Sequence, residues 1–305
     1  MKGHRRVAKQ NVAEEKTERV DYGRKVLVFL KEAGIVLGLF LVINSFVFAS
    51  FLVPTGSMEN EVMTGELLFV NKFLYGASSP RNIHFTNIRL PYFRLPAFRD
   101  VQRGDVIVFV FPGNRDEIQP EDFVFYLKRC IALPGDTVQV KDRVVYVNNH
   151  VFPIPRNIKF DRREMMPPNF VDEGVFPKGS PWNQDHFGPL VVPKRGMKLP
   201  LTPQNYEAWT VFIRREGHAI QLLGDQVFVD GKPASAYTVE QDYLFGMGDH
   251  RDNSLDSRYW GFISRESVVG TPMVVYWSWN TDIPLYDVFG RLASIRWGRI
   301  GSVIK

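Results

Sequence analysis

The chain has 305 residues, 45% of them hydrophobic and 23% charged, an ordinary globular balance that excludes disordered, collagen-like and low-complexity classes. Its formal net charge of +5 gives weak support for an anionic membrane surface as a neighbour, and with no basic helix or RNA-binding motif it gives none for nucleic acid. The length suggests about two domains, and the single cysteine, Cys130, leaves the fold to rest on packing without an intramolecular disulfide.

Residues 1–32 read as a short polar tail. The run Ala33 to Val53 then carries no charged residue and only Asn44, Ser45 and Ser50 as polar members, enough length for a helix to cross a bilayer. Its polar residues form no continuous stripe, which favours a transmembrane anchor over a buried core helix. The bulky exit Phe51-Leu52-Val53-Pro54 lacks the small-x-small pattern of a cleaved leader, so the anchor is expected to be retained. Lys2, Arg5, Arg6, Lys9, Lys16, Arg19, Arg24, Lys25 and Lys31 precede it, which predicts a cytoplasmic N-terminus and an exported body. Val268–Tyr276 is too short for a second span, so a single pass is expected.

The body is expected to be mainly β. Glu66–Val70, Asp105–Phe111, Thr137–Val140 and Val144–Val147 are β-branched or aromatic runs entered through Gly-containing turns. Residues 54–142 form a first core part, with a hairpin extension expected at 79–98. From 143 to 240 prolines interrupt the chain repeatedly, which predicts an inserted, loop-heavy subdomain, and 241–305 complete the core. Within the insertion, Trp182-Asn-Gln-Asp-His186 offers one histidine without a second ligand at regular spacing, so a structural role is expected and no metal.

Three constellations carry chemistry. Directly after the apolar run comes Pro54-Thr55-Gly56-Ser57-Met58-Glu59, where a glycine beside a serine can present the hydroxyl and its own backbone N–H, and Thr55 can add a donor. Alone this is equally ordinary turn chemistry. In Phe125-Tyr-Leu-Lys128-Arg-Cys-Ile-Ala-Leu-Pro-Gly-Asp136 a lysine sits in an apolar strand, where burial would favour the neutral amine that can take a proton from serine; a lysine snorkelling to solvent fits the segment equally well. Strand alternation puts Tyr126 and Lys128 on one face and Arg129 on the other, where it can meet an acid. The third is Gly246-Met-Gly-Asp249-His250-Arg251-Asp252-Asn253-Ser254-Leu-Asp256-Ser257-Arg258, a polar loop of mixed sign whose charges must compensate one another if buried. A triad of Ser57, His250 and Asp249 or Asp252 is one assembly of these parts. A Ser57–Lys128 dyad is preferred, because Lys128 is set in a strand suited to substrate binding.

In this order, and after an apolar anchor, the three boxes resemble those of bacterial type I signal peptidases, membrane-bound endopeptidases that use a serine and a lysine. The resemblance covers the span, the stretches near 51–75 and 101–142, and about 241–305. It implies a signal-peptidase-like β catalytic core with an inserted cap subdomain behind one N-terminal transmembrane helix. By position it implies Ser57 as nucleophile, Lys128 as general base, and an oxyanion hole from Thr55 and the Ser57 N–H. Ser254 would orient the lysine, with Asp249, Asp256, Arg258 and Arg129 in support. Phe51, Val53, Pro54, Met58, Val62, Tyr126 and Leu127 would line small pockets for residues −1 and −3 of a signal peptide. The implied partners are signal peptides of secreted preproteins, membrane lipid and nearby export machinery, at the inner membrane with the catalytic body outside and no cofactor. Two departures stand out: His250 replaces the usual Asn, and one span is seen where some relatives have two. The rival readings are a catalytically silent membrane-anchored binding protein of the same fold, a self-cleaving peptidase, which would need a DNA-binding domain where the span lies, and a Ser-x-x-Lys enzyme, which Asn60 excludes.

Overall fold

The computed structural model of the protein describes residues 22–40, 47–78, 93–120 and 123–305, and the chain divides into two compact units, Met1–Val47 and Phe48–Lys305. In the first unit a helix, α1, covers residues 22–40 with its side chains exposed. Among the described residues no helix is long and apolar enough to cross a membrane. The expected anchor at 33–53 therefore divides: residues 33–40 are helical, 41–46 lie outside the described residues, and Phe48–Leu52 is a strand. This last piece corrects the expected boundary. Hydropathy does not separate a helix in lipid from an apolar strand, and here the segment pairs residue by residue with a partner, from Phe48 opposite Asn71 to Leu52 opposite Leu67.

The second unit is mainly β. Four strands open it: β1 (Phe48–Leu52), β2 (Glu66–Asn71), β3 (Val106–Val110) and β4 (Phe125–Ala132). Then follow β5 (Thr137–Lys141), β6 (Val144–Val147), β7 (His150–Val151) and β8 (Phe187–Val191). Next come β9 (Lys198–Pro200), helix α2 (Tyr206–Arg215), β10 (Ile220–Leu223), β11 (Gln226–Val229), β12 (Lys232–Pro233) and β13 (Ala236–Thr238). The chain closes with β14 (Tyr243–Met247), the short helix α3 (Ser257–Trp260), β15 (Ile263–Ser264), the long β16 (Val268–Ser278) and helix α4 (Val288–Ala293).

The main sheet has seven strands in the order β1-β2-β16-β3-β4-β14-β15, so the first and last core parts interleave. β3 explains its own sequence. Val106 and Val108 belong to one apolar cluster with Val53, Met58, Val62 and Leu68, while Ile107 and Phe109 belong to another with Cys130, Leu244 and Trp260. A strand buried on both faces needs an unbroken apolar run, and Val-Ile-Val-Phe-Val supplies it.

The inserted region is more regular than its prolines predict. It holds a four-stranded sheet in the order β7-β6-β5-β8, a three-stranded β10-β11-β12 sheet and a β9–β13 ribbon. A large core centred on Phe176, Phe187, Phe212, Phe245 and Phe262 joins these to the main sheet. The expected boundary at 142/143 falls inside the β5–β6 hairpin, where Lys141 faces Val144, so the insertion's sheet starts at β5. Of the expected hairpin extension at 79–98, residues 79–92 lie outside the described ones; Arg94 makes an antiparallel bridge to Ser78, and the Leu95 N–H donates to the Ala77 carbonyl at 2.8 Å.

Candidate active site

Ser57 sits in the loop that joins β1 to β2. Two reciprocal bonds close the loop's ends, Val53 N–H to the Glu66 carbonyl and Gly65 N–H to the Val53 carbonyl, each 2.9 Å, with Gly65 at φ 83° making the return. Inside the loop Met58 is buried in the cluster of Val62, Leu68 and Val108, and its carbonyl accepts the N–H groups of Glu61 and Val62. An anchored methionine next to the serine thus fixes the serine's backbone by packing. The loop is also tied to the 246–258 segment: the Asp249 N–H reaches the Met58 Sδ at 3.4 Å, and the His250 N–H donates to the Ser57 carbonyl at 3.1 Å.

Lys128 enters from β4, opposite Ile107 of β3, and its Nζ lies 2.6 Å from the Ser57 Oγ. Both are buried, at 3% and 8% exposure. Desolvation is the main influence on the ammonium and lowers its pKa from 10.5 to about 8, against the charge of Asp256, with Arg258 lowering and Asp249 raising it by smaller amounts. The Nζ also lies 5.5 Å from the ring centroid of Tyr126, two residues earlier. The lysine is therefore enclosed, with its amine on the serine hydroxyl.

Buried charge pairs surround the dyad. Arg129 makes a two-pronged ion pair with Asp249, at 2.8 and 2.6 Å, and donates to the carbonyls of Gly104 and Lys305. Asp256 pairs with Arg258 at 2.9 and 2.8 Å and accepts the Gly248 N–H at 3.1 Å. Burial alone would raise the Asp256 carboxyl, but the Arg258 charge and hydrogen bonds, with smaller help from Gly248 and Lys128, hold it below the usual carboxylate range. Ser254 is buried beside this network, and its hydroxyl makes no hydrogen bond to Lys128 or to any other described group. Thr55 and Pro54 are exposed next to Ser57. Phe51 and Leu127 pack on the Val53–Met58–Val62 cluster, the Phe51 ring 4.9 Å from that of Phe125, while Tyr126 stacks on Phe111 at 4.2 Å in the other cluster. His250 contacts Asp161 of the inserted region through Nε2 at 2.6 Å and the Gly56 carbonyl through Nδ1, while Asp249 pairs with Arg129 and Asp252 with Arg162, so no triad of Ser57, His250 and Asp249 or Asp252 assembles.

A family model described as "Signal peptidase, peptidase S26" matches residues 26–277. The chain belongs to the signal peptidase family. The Signal peptidase I of Pseudomonas aeruginosa is 30% identical over 257 residues, covering 80% of this chain and 70% of its own length. That of Buchnera aphidicola subsp. Acyrthosiphon pisum is 26% identical over 301 residues, covering 94% of this chain and 85% of its own. A crystal structure of a signal peptidase I from Enterococcus faecalis V583 covers 57% of this chain and 98% of that one, at a TM-score of 0.26 and 20% identity. Membership in this peptidase family makes the chain a serine endopeptidase.

Sequence reading missed Gly248 as a member of this signal peptidase site. A Cβ there would clash with the Ser57 carbonyl oxygen, 2.5 Å away, and with the Ser254 side chain. Its signal lay in the Gly-x-Gly spacing before Asp249, unremarkable until the serine loop is seen against it. Gly248→Ala is expected to cost about 1–3 kcal/mol of stability by overpacking and to displace Ser57, lowering kcat more than it raises KM. Denaturant titration and steady-state kinetics on one preparation check this; unchanged values in both would remove Gly248 from the site.

Proposed function

We propose that this chain is a signal peptidase I that removes N-terminal signal peptides from exported preproteins, with Ser57 as nucleophile and Lys128 as general base. The observation that carries the reading is the buried 2.6 Å contact between a lysine amine of lowered pKa and a serine hydroxyl. Neutral Lys128 takes the Ser57 proton, and the alkoxide attacks the scissile carbonyl carbon. The Ser57 N–H and the Thr55 hydroxyl stabilise the oxyanion. As the intermediate collapses the C–N bond breaks, the Lys128 ammonium protonates the leaving amine of the mature protein, and the signal peptide stays as an ester on Ser57. Lys128, neutral again, deprotonates a water that attacks the ester and frees the peptide. Arg129, Asp249, Asp256 and Arg258 support the dyad by keeping the buried charges paired.

Phe51, Val53, Pro54, Met58, Val62, Tyr126 and Leu127 are proposed to form the small subsites for residues −1 and −3. A substrate strand pairing by its backbone beside them tolerates varied sequences while two side chains are read. Anchoring by the apolar run, single-pass with a cytoplasmic N-terminus and the catalytic body outside the inner membrane, is part of the same proposal, as is work near lipid and the export machinery. Exposed apolar side chains on one stretch, Leu285, Tyr286, Val288, Phe289 and Leu292, support a body that meets lipid.

Incubated with a preprotein in detergent, the full chain is expected to release a mature product cut after a small-x-small exit, and to leave uncut the same preprotein carrying Phe at −1. N-terminal sequencing of the product decides it. No product, or equal cutting of the Phe variant, would overturn the substrate assignment.

A further inference from the structure

We infer that His250 is a positioning residue that sets the Gly56–Ser57 peptide plane, and so the direction of the Ser57 N–H, by donating from its Nδ1 to the Gly56 carbonyl while the inserted region holds its Nε2. This rests on the proposed role of Ser57 as nucleophile and oxyanion donor. His250 is 2% exposed, and its Nδ1 lies 3.3 Å from the Gly56 carbonyl oxygen and 3.2 Å from a Glu59 carboxylate oxygen. Its Nε2 lies 2.6 Å from the Asp161 carboxylate. All three neighbours are acceptors, so an N–H on Nδ1 has the Gly56 carbonyl and the Glu59 carboxylate as its partners.

In a trans peptide unit the carbonyl of one residue and the N–H of the next point in opposite directions. A donor that fixes the Gly56 carbonyl therefore fixes the Ser57 N–H on the other side of the plane. The Gly56 carbonyl also accepts the Glu59 N–H at 3.0 Å, a turn bond within the loop itself. That bond lies within the turn, and the ties from the Asp249 and His250 N–H groups fall on Met58 and the Ser57 carbonyl; the histidine side chain is the group of the 246–258 segment that reaches the Gly56 carbonyl. The ring is held in turn by a strap of the inserted region. The Lys159 N–H donates to the Asp249 carbonyl and the Arg251 N–H to the Lys159 carbonyl, flanking His250 on both sides. The Lys159 ammonium lies 2.9 Å from Glu59 and 3.4 Å from Asp161, bridging the two carboxylates that flank the ring. The strap is fastened again one turn on, where the backbone N–H groups of Asp161 and Arg162 both donate to Asp252 at 2.9 Å. The inserted region thus reaches the nucleophile's loop at Glu59 through Lys159 and, by way of His250, at the Gly56 carbonyl.

The test uses the different reach of two amides in the full-length protein. An Asn amide nitrogen takes the place of Nδ1, and a Gln amide takes the place of Nε2. His250→Asn keeps the donor to Gly56 and is expected to retain kcat within about threefold. His250→Gln and His250→Leu lose that donor and are expected to lower kcat by about 10- to 100-fold, below the loss of an oxyanion donor outright, with KM within about twofold. Equal kcat for the Asn and Gln variants, or a Leu variant with unchanged kcat, would overturn the inference. Should the Leu variant lose its cooperative melting, the Asn and Gln pair decides alone. Ser57→Ala is run beside them: activity that survives it fails the nucleophile assignment, whereas activity lost only there and kept in all His250 variants fails this inference alone.

Discussion

Preprotein cleavage by Lys128→Met is expected to fall by about 10⁴-fold, the upper part of what a positioned general base contributes, and Ser57→Ala is expected to fall at least as far. The argument is one of protonation. With a pKa of about 8, about one lysine in ten is neutral at pH 7; at 10.5 the fraction would be about one in three thousand. The wild-type kcat/KM is therefore expected to rise with pH along an acid limb centred near 8, because the free enzyme must first lose the ammonium proton. Lys128→Arg, which keeps the charge and cannot give up its proton, is expected to lack the limb along with the activity. A limb centred near the ordinary lysine value would overturn the desolvated base.

The same residue is expected to weaken the fold. Its pKa is depressed on folding, so between the folded value near 8 and the unfolded value of 10.5 the unfolded chain binds more protons, and stability rises with pH across that window. Below it the cost of burying the group is fully present, about 3 kcal/mol for a shift of this size. Lys128→Met removes that cost and gives up one hydrogen bond of about 1 kcal/mol, so the inactive variant is expected to be more stable by about 2 kcal/mol at pH 7. Denaturant melts of both proteins at pH 7 and pH 10 check it. The difference is expected to shrink at the higher pH, and a Lys128→Met protein no more stable than the parent at pH 7 would contradict the desolvation cost.

The burial of the strands around Lys128 was legible because its cause is local, whereas the roles of Ser57 and Lys128 rested on the family resemblance. An all-apolar β3 announces burial on both faces, and Lys128 stands out by interrupting such a run in β4. The span's end was not legible. Phe48–Leu52 continues the hydropathy of residues 33–47 without a break, and what makes it a strand is its register with Leu67–Asn71, a pairing that composition does not encode. The strap was hidden for the same reason. Asp161 and His250 are 89 residues apart, and the sequence around Asp161 carries only ordinary surface charge. The resemblance implies that Ser254 orients the lysine, yet its buried hydroxyl has no described hydrogen-bond partner. The prolines of 143–240 pointed to loops, yet they left room for β6 to β13 and for α2 between them.

Asp256→Ala is expected to destabilise the protein by about 3–5 kcal/mol, the cost of leaving a buried partner charge uncompensated. Arg258 is 2% exposed, and of its described acceptors only Asp256 is a carboxylate; the others are the carbonyls of Gln184 and Arg251. Gly248 loses its acceptor as well, and with it the bond that holds the glycine under the Ser57 carbonyl. Replacing both members, Asp256→Leu with Arg258→Met, is expected to recover much of the loss, since two apolar groups leave no charge behind. A double variant as unstable as the single would show that the pair's hydrogen bonds matter more than its charge balance. The milder Asp256→Asn separates fold from chemistry. It keeps an acceptor for Gly248 and removes the negative charge that raises the Lys128 pKa, while Arg258, left without its partner, lowers it further. Its acid limb in kcat/KM is therefore expected to move to lower pH than the parent's, so that the fraction of neutral lysine at pH 6 increases even as the protein becomes less stable. A limb that stays in place, or moves upward, would mean that Asp256 supports the loop without acting on the base.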